Sequence, residues 1–201
     1  MLELVFGRAL AFKKSTNMNK VVYIFLADGF EEAEALVTTD ILRRAGAHVK
    51  LVSVTESEIV KGAHGISVFC DAPFENCDFS EGVMFVLPGG LPGADTLNQH
   101  EGLRKLLVKS ANEGKFVAAI CAAPMVLGGL GLLKGKKATC YPGFESKMEG
   151  ADYQAEESAV KDGNFITGRG PGASFDFGFA LVEKLYGAEK VEELKAAMCV
   201  K

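Results

Sequence analysis

The sequence predicts an α/β protein built on a mainly parallel sheet. Two observations carry this expectation. The apolar runs "VVYIFLA" (21–27), "VMFVL" (83–87) and "FVAAI" (116–120) have strand length but lack polar alternation, so both faces of each strand should be buried. Segments of helical periodicity lie between them, and strands alternating with helices define a layered α/β architecture.

The elements follow in order. After the first strand, "FEEAEALVTTDILRRAGA" (30–47) reads as a helix. Ala35, Leu36, Ile41 and Leu42 recur near helical spacing, glutamates occupy the first turn, and Gly46 is a stop. "HVKLVSV" (48–54) is the next strand, and the strand–helix–strand crossover should be right-handed. "EIVKGAHGISVFC" (58–70) reads as a hairpin around its glycines. The strand 83–87 ends in "PGG", and "GLRKLLVKSANEG" (102–114) is an amphipathic helix stopped by Gly114. "APMVLGGLGLL" (123–133) follows the strand 116–120 as a buried helix interrupted by glycines. "KKATC" (136–140) and "NFITG" (164–168) are late strands. "PGASFDFGFALVEKLYG" (171–187) is a helix with Pro171 in its first turn, where a missing N–H costs nothing, and "AEKVEELKAAM" (188–198) closes the chain.

Length and composition bound the rest. With 201 residues, 48% of them hydrophobic, the chain can bury a substantial core in one domain, assigned to residues 18–201. The first seventeen residues, "MLELVFGRALAFKKSTN", are expected to be an N-terminal extension of open role. Glu3 and Arg8 interrupt their apolar part and Lys13 and Lys14 follow it, which is not the order of a secretory signal. A net charge of -4 argues against a general nucleic-acid surface. The five cysteines are odd in number and show neither a C-x-x-C pair nor zinc spacing, so a reduced, cytoplasmic protein without a bound metal is expected. No apolar run reaches about 18 residues, so no membrane span is expected.

Chemistry concentrates where strands end, because ligands of open α/β sheets bind beyond the carboxyl ends of the strands. "VAAICAAPMVL" (117–127) places Cys121 at such an end, among small neighbours that suit a strained elbow. A helix start there should favour the thiolate. "LPGG" (87–90) should reach the same edge and offer backbone donors, and an oxyanion site from the N–H groups of Gly90 and Ala122 is reasonable. "DGFEEAEA" (28–35) brings three glutamates to that edge. One of them beside a thiolate would be pushed to stay protonated, although spacing does not say which. Cys70, Cys77, Cys140 and Cys199 read as packing residues, with Cys140 alternatively a resolving thiol near the pocket. "GRGPGA" (168–173) lacks the Lys-Ser/Thr of a phosphate loop and reads as a strand-to-helix turn.

The ordered set "LADGFEEAEA", "DILRRAG", "VLPGG", "AAICAAP" and "GRGPGASFDF" resembles the ThiJ/PfpI superfamily, in the branch of the parkinsonism-associated protein deglycase and its bacterial relatives, over about residues 20–198. The resemblance implies a flavodoxin-like three-layer sandwich of the class I glutamine amidotransferase-like type, usually homodimeric. It implies that Cys121 is the reactive, easily oxidised elbow cysteine and Glu34 the acid bonded to its sulfur. It places Gly89 and Gly90 in the turn beside the site, and Arg44 and Asp40 near the pocket mouth and dimer contact. His64 falls where relatives often carry an arginine that reaches the partner's site. Two departures stand out. Tyr141 occupies the place of a histidine found in the deglycase branch, and Ala122 the place of the histidine in the peptidase-like branch. His48 and His100 read as structural or solvated, so no Cys–His dyad is legible and a peptidase is disfavoured. The expected function is a cofactor-free glyoxalase or deglycase acting on α-oxoaldehydes or their protein or nucleotide adducts. The alternative is an oxidation-sensing stress or chaperone protein using the same cysteine.

Overall fold

The computed structural model describes residues 20–200, and the predicted extension 1–17 lies outside them. The central strands are β1 (Val21–Leu26), β2 (His48–Ser53), β6 (Gly82–Leu87), β7 (Phe116–Ile120) and β11 (Phe165–Gly168). The short β5 (Ala72–Pro73) and β10 (Ala159–Asp162) complete a seven-stranded sheet of order β10-β11-β7-β6-β1-β2-β5. All neighbours run parallel except the edge pair β10–β11. The five central strands thus have the flavodoxin-like order 2-1-3-4-5. Every residue of β1 is buried, as the absence of alternation in its sequence requires.

The helices are α1 (Glu32–Arg44), α2 (Gly93–Gln99), α3 (Glu101–Asn112), α4 (Pro124–Gly129), α5 (Ser174–Tyr186) and α6 (Ala188–Ala197). The connection β1–α1–β2 steps one way along the sheet, and β6–α2–α3–β7 steps the other. Right-handed crossovers therefore set α1 and α2–α3 on opposite faces. Consistently, α1 packs on α5, and α2 packs on α3 and α4. The reversal between β1 and β6 is the switch point of the sheet, and its carboxyl edge opens a crevice there.

The predicted hairpin is present as β3 (Ile59–Lys61) antiparallel to β4 (Ser67–Phe69). Three local expectations are corrected. The predicted helix 123–133 stops at Gly129, because a run with glycines at 128, 129 and 131 propagates a helix poorly. The predicted strand 136–140 shrinks to β8 (Lys137–Ala138), which pairs with β9 (Asp152–Tyr153) away from the main sheet. The helix predicted from Pro171 begins as a 3₁₀ turn, Pro171–Ala173, before α5.

Candidate active site

Three strand ends meet at the switch point. The carboxyl end of β1 leads through Asp28–Glu31 into α1 and delivers Glu34 on its first turn. The end of β6 leads into Gly89–Gly90, and the end of β7 delivers Cys121. Cys121 has φ 65°, in the left-handed region that residues with a Cβ seldom enter. Such a pose costs of order 1–3 kcal/mol and persists only where the surroundings fix it. Here they do: Cys121 N–H donates to Gly168 O at 2.9 Å, and Tyr141 N–H donates to Cys121 O at 2.8 Å. The elbow legible in the sequence is thus a real backbone feature, held between β11 and the loop after β8.

Glu34 is buried, with 1% of its surface exposed. Its Oε2 accepts a hydrogen bond from Gly89 N–H at 2.7 Å, while Oε1 is buried with no conventional partner. Burial pushes the Glu34 carboxyl up to about 7, against the opposing pull of the Gly89 N–H and the Cys121 thiol. A carboxylic acid carrying its proton on Oε1 fits that environment: one oxygen accepts, and the other is ready to donate. Of the three glutamates near this edge, the structure brings Glu34 to the sulfur. Glu31 contributes its backbone N–H to Gly89 O at 2.9 Å, which fixes the turn.

The glycine pair is required by space and by conformation. A Cβ on Gly89 would lie 2.7 Å from Cys121 Cβ, 2.9 Å from Glu34 Oε2 and 3.0 Å from Ala122 N. Gly90 has φ +86°. The N–H groups of Gly90 and Ala122 both hydrogen-bond toward the Cys121 sulfur and favour its anion. Gly89 N–H, by contrast, is committed to Glu34. Gly89→Ala is expected to destabilise the fold by about 1–3 kcal/mol, the usual cost of overpacking, read as a lower urea midpoint. It should also disrupt the Glu34–Cys121 contact.

Burial works against the expected lowering of the thiol pKa. Burial pushes the Cys121 thiol well above its ordinary value, and the charge and hydrogen bond of Glu34 add to the rise. The donors at Ala122 and Gly90 oppose this but do not win. The helix that should have helped is six residues long, so its dipole is small. The pair therefore rests with a proton on the sulfur, while Glu34 exchanges its own proton around neutral pH. A thiolate forms when the thiol proton leaves toward substrate or solvent, and a neutral Glu34 is the form that tolerates it.

Other expected site residues scatter. Arg44 Nε bonds Asp40 Oδ2 at 2.7 Å on the exposed side of α1. Arg44 lies ten residues beyond Glu34, about 15 Å along the helix axis, at the far end of α1. His64 is half a surface clasp: its backbone N–H donates to Glu32 Oε1 at 2.7 Å and its Nδ1 lies 2.8 Å from Glu32 Oε2. That hydrogen bond, with the charge of Glu31, raises the His64 pKa. It pins the hairpin to α1. These three residues are also the one group among the described residues spaced to hold a metal. His100 caps α3 by accepting from Leu103 N–H at 3.0 Å. Tyr141 abuts the elbow through its backbone, while its side chain is half exposed. Cys140 is fully buried, burial raises its thiol to about 12, and all five cysteines are free. Arg169, unremarked within "GRGPGA", lines a cleft with Tyr141. Its signal in the sequence was a charged residue directly after a strand that ends at the catalytic edge.

A doubly wound sheet with an elbow cysteine, a buried acid at its sulfur and two backbone donors defines a cysteine-centred α/β site. The chain belongs to the DJ-1/PfpI family, whose profile matches residues 20–184. It is 40% identical to Protein DJ-1 homolog B of Arabidopsis thaliana over 92% of its own length, spanning 43% of that relative. It is 33% identical to the Caenorhabditis elegans protein named glutathione-independent glyoxalase DJR-1.2, covering 85% of this chain and 90% of that one. The crystal structure of Drosophila melanogaster DJ-1beta superposes with a TM-score of 0.87 at 35% identity, over 92% of this chain and 100% of the other. Oxidised Toxoplasma gondii DJ-1 superposes with a TM-score of 0.85 at 34% identity, over 90% and 98%. The flavodoxin-like sandwich expected from the sequence is thereby established.

Proposed function

We propose that this protein is a cofactor-free, cysteine-dependent glyoxalase or deglycase acting on α-oxoaldehydes or their adducts. The observation that carries the reading is the buried Glu34 carboxyl, raised to about 7 and sharing its pocket with Cys121. A group titrating near the working pH can both give and take a proton. Cys121 sulfur adds to the aldehyde carbon of methylglyoxal, and its proton passes to the new hydroxyl, giving a hemithioacetal. Glu34, as carboxylate, removes the proton from the former aldehyde carbon, and the electron pair moves to the neighbouring carbonyl to form an enediolate. The protonated Glu34 returns that proton to the second carbon while the proton of the first carbon's hydroxyl passes to the oxygen on the second, leaving a lactoyl thioester and a Glu34 carboxylate. Water cleaves that thioester, releasing lactate and the Cys121 thiol. Gly90 and Ala122 N–H groups stabilise the oxyanions that develop along this path. The glyoxalase name of the C. elegans relative supports the same chemistry. Conversion of methylglyoxal to lactate by the reduced protein tests it. Absence of lactate while Cys121 remains reduced and the protein folded would overturn the reading for this substrate.

One observation favours a second reading. The unpartnered Glu34 Oε1 and the donors of Gly90 and Ala122 converge on the sulfur, a setting that would hold the oxygens of a sulfenic or sulfinic acid. An oxidation sensor would use that state.

A homodimer of reduced, cytoplasmic protein is part of the proposal. The β3–β4 hairpin supports it: Ile59 and Phe69 face each other across the strands and are exposed, Phe69 by 75%. Exposed apolar surface of this kind marks association. Phe69→Lys is expected to convert a species of two chains into one, measured by light scattering after gel filtration. No helix among the described residues is long and apolar enough to cross a membrane.

A further inference from the structure

A cleft whose walls are bonded to the backbone of the elbow, although Cys121 is not in its lining, is larger than a three-carbon aldehyde needs. It encloses about 380 Å³ and is walled by Tyr141, Ser158, Arg169 and the turn from Gly170 to Ala173, with no carboxylate in its lining. Pockets of this order hold ligands well beyond three carbons. Both walls are fastened to the nucleophile. Tyr141 N–H donates to Cys121 O, and Cys121 N–H donates to O of Gly168, the residue before Arg169.

Arg169 is unlike the other arginines described. Arg43 pairs with Asp71, Arg44 with Asp40, and Arg104 bonds Asn98. Arg169 has neither an ion pair nor a side-chain hydrogen bond among the described residues, although it is partly buried in the cleft wall. The hydroxyls of Tyr141 and Ser158 beside it also lack acceptors there. A guanidinium with its donors unspent, flanked by two hydroxyls and no acid, is matched to a planar carboxylate or a phosphate.

We propose that this cleft is an anion subsite, in which Arg169, Tyr141 and Ser158 receive a carboxylate or phosphate borne by the substrate whose carbonyl meets Cys121. The inference rests on the reading of Cys121 as the group that attacks the carbonyl. It shifts the preferred substrate from free methylglyoxal to an anionic α-oxoaldehyde or an aldehyde adduct on an anionic molecule.

The test needs no turnover. Cys121 is alkylated with iodoacetate, which is anionic, and with iodoacetamide, which is neutral and of similar size. The rate at the Cys121 peptide is followed by mass spectrometry in wild type, Arg169→Met and Arg169→Lys. The iodoacetate-to-iodoacetamide rate ratio should fall up to about fivefold in Arg169→Met, the range for a partly exposed charge pair, and should largely survive in Arg169→Lys. Acetate and inorganic phosphate, added as competitors against iodoacetate, show which anion the cleft prefers. An equal ratio in all three proteins overturns the subsite. Lactate formation with an unchanged ratio overturns the subsite alone. An Arg169-dependent ratio without aldehyde turnover overturns the enzyme reading alone.

Discussion

Replacing Cys121 by serine is expected to lower conversion of methylglyoxal to lactate by about a thousandfold or more, the scale of losing a covalent nucleophile. Serine would keep the elbow, whose bonds to Gly168 and Tyr141 involve only the backbone of residue 121. It could not match the nucleophilicity of sulfur, and no base of the Ser–His kind stands beside it. The folded variant would therefore isolate the chemistry from the architecture. Residual lactate at the wild-type rate would place the reaction elsewhere on the protein.

The second large effect is at Glu34. Glu34→Gln should lower lactate production by about a hundredfold or more, because the enediol step then has no carboxylate, and general acid–base groups contribute on this scale. The same substitution should change stability with a defined sign. Glu34 titrates at 4.5 when unfolded and at about 7 when folded, because burial disfavours its charge. Below pH 4.5 both states hold the proton and no penalty exists. Between 4.5 and 7 the unfolded chain loses the proton first, so wild-type stability falls as pH rises. Above 7 the penalty is constant, on the order of 3 kcal/mol at about 1.4 kcal/mol per unit. Glu34→Gln removes this term. Relative to wild type, the variant should gain stability between pH 4.5 and pH 8, measured by urea unfolding at both values.

Much of this site was legible because strand ends converge by rule. Three buried apolar runs, each followed by small or acidic residues, had to deliver Cys121, Gly90 and a glutamate to one edge. Choosing Glu34 required the family resemblance, since Glu31, Glu32 and Glu34 share the same stretch, and each has a different task in the fold. Arg44 stands remote from Glu34 of its own chain because a helix returns from the catalytic edge, so its last turn lies far from its first. The contact of His64 with Glu32 was not legible, because the two lie on distant segments of the chain. The burial that opposes a low thiol pKa was not legible, because composition hides how short α4 is and how deeply the sulfur sits. α2 and β10 went unread because "GADTLNQ" and "AVKD" are too short to show a period.

The central claim is that Glu34 holds its proton well above the ordinary carboxyl range beside the Cys121 thiol and titrates near neutral pH. Carbon-13 NMR of protein labelled at glutamate side-chain carboxyls measures this directly, with Glu34→Gln assigning the resonance. The account predicts one carboxyl titrating near pH 7 in the wild type and missing from the variant. A Glu34 carboxyl that titrates in the ordinary range of about 4 to 5 would contradict it.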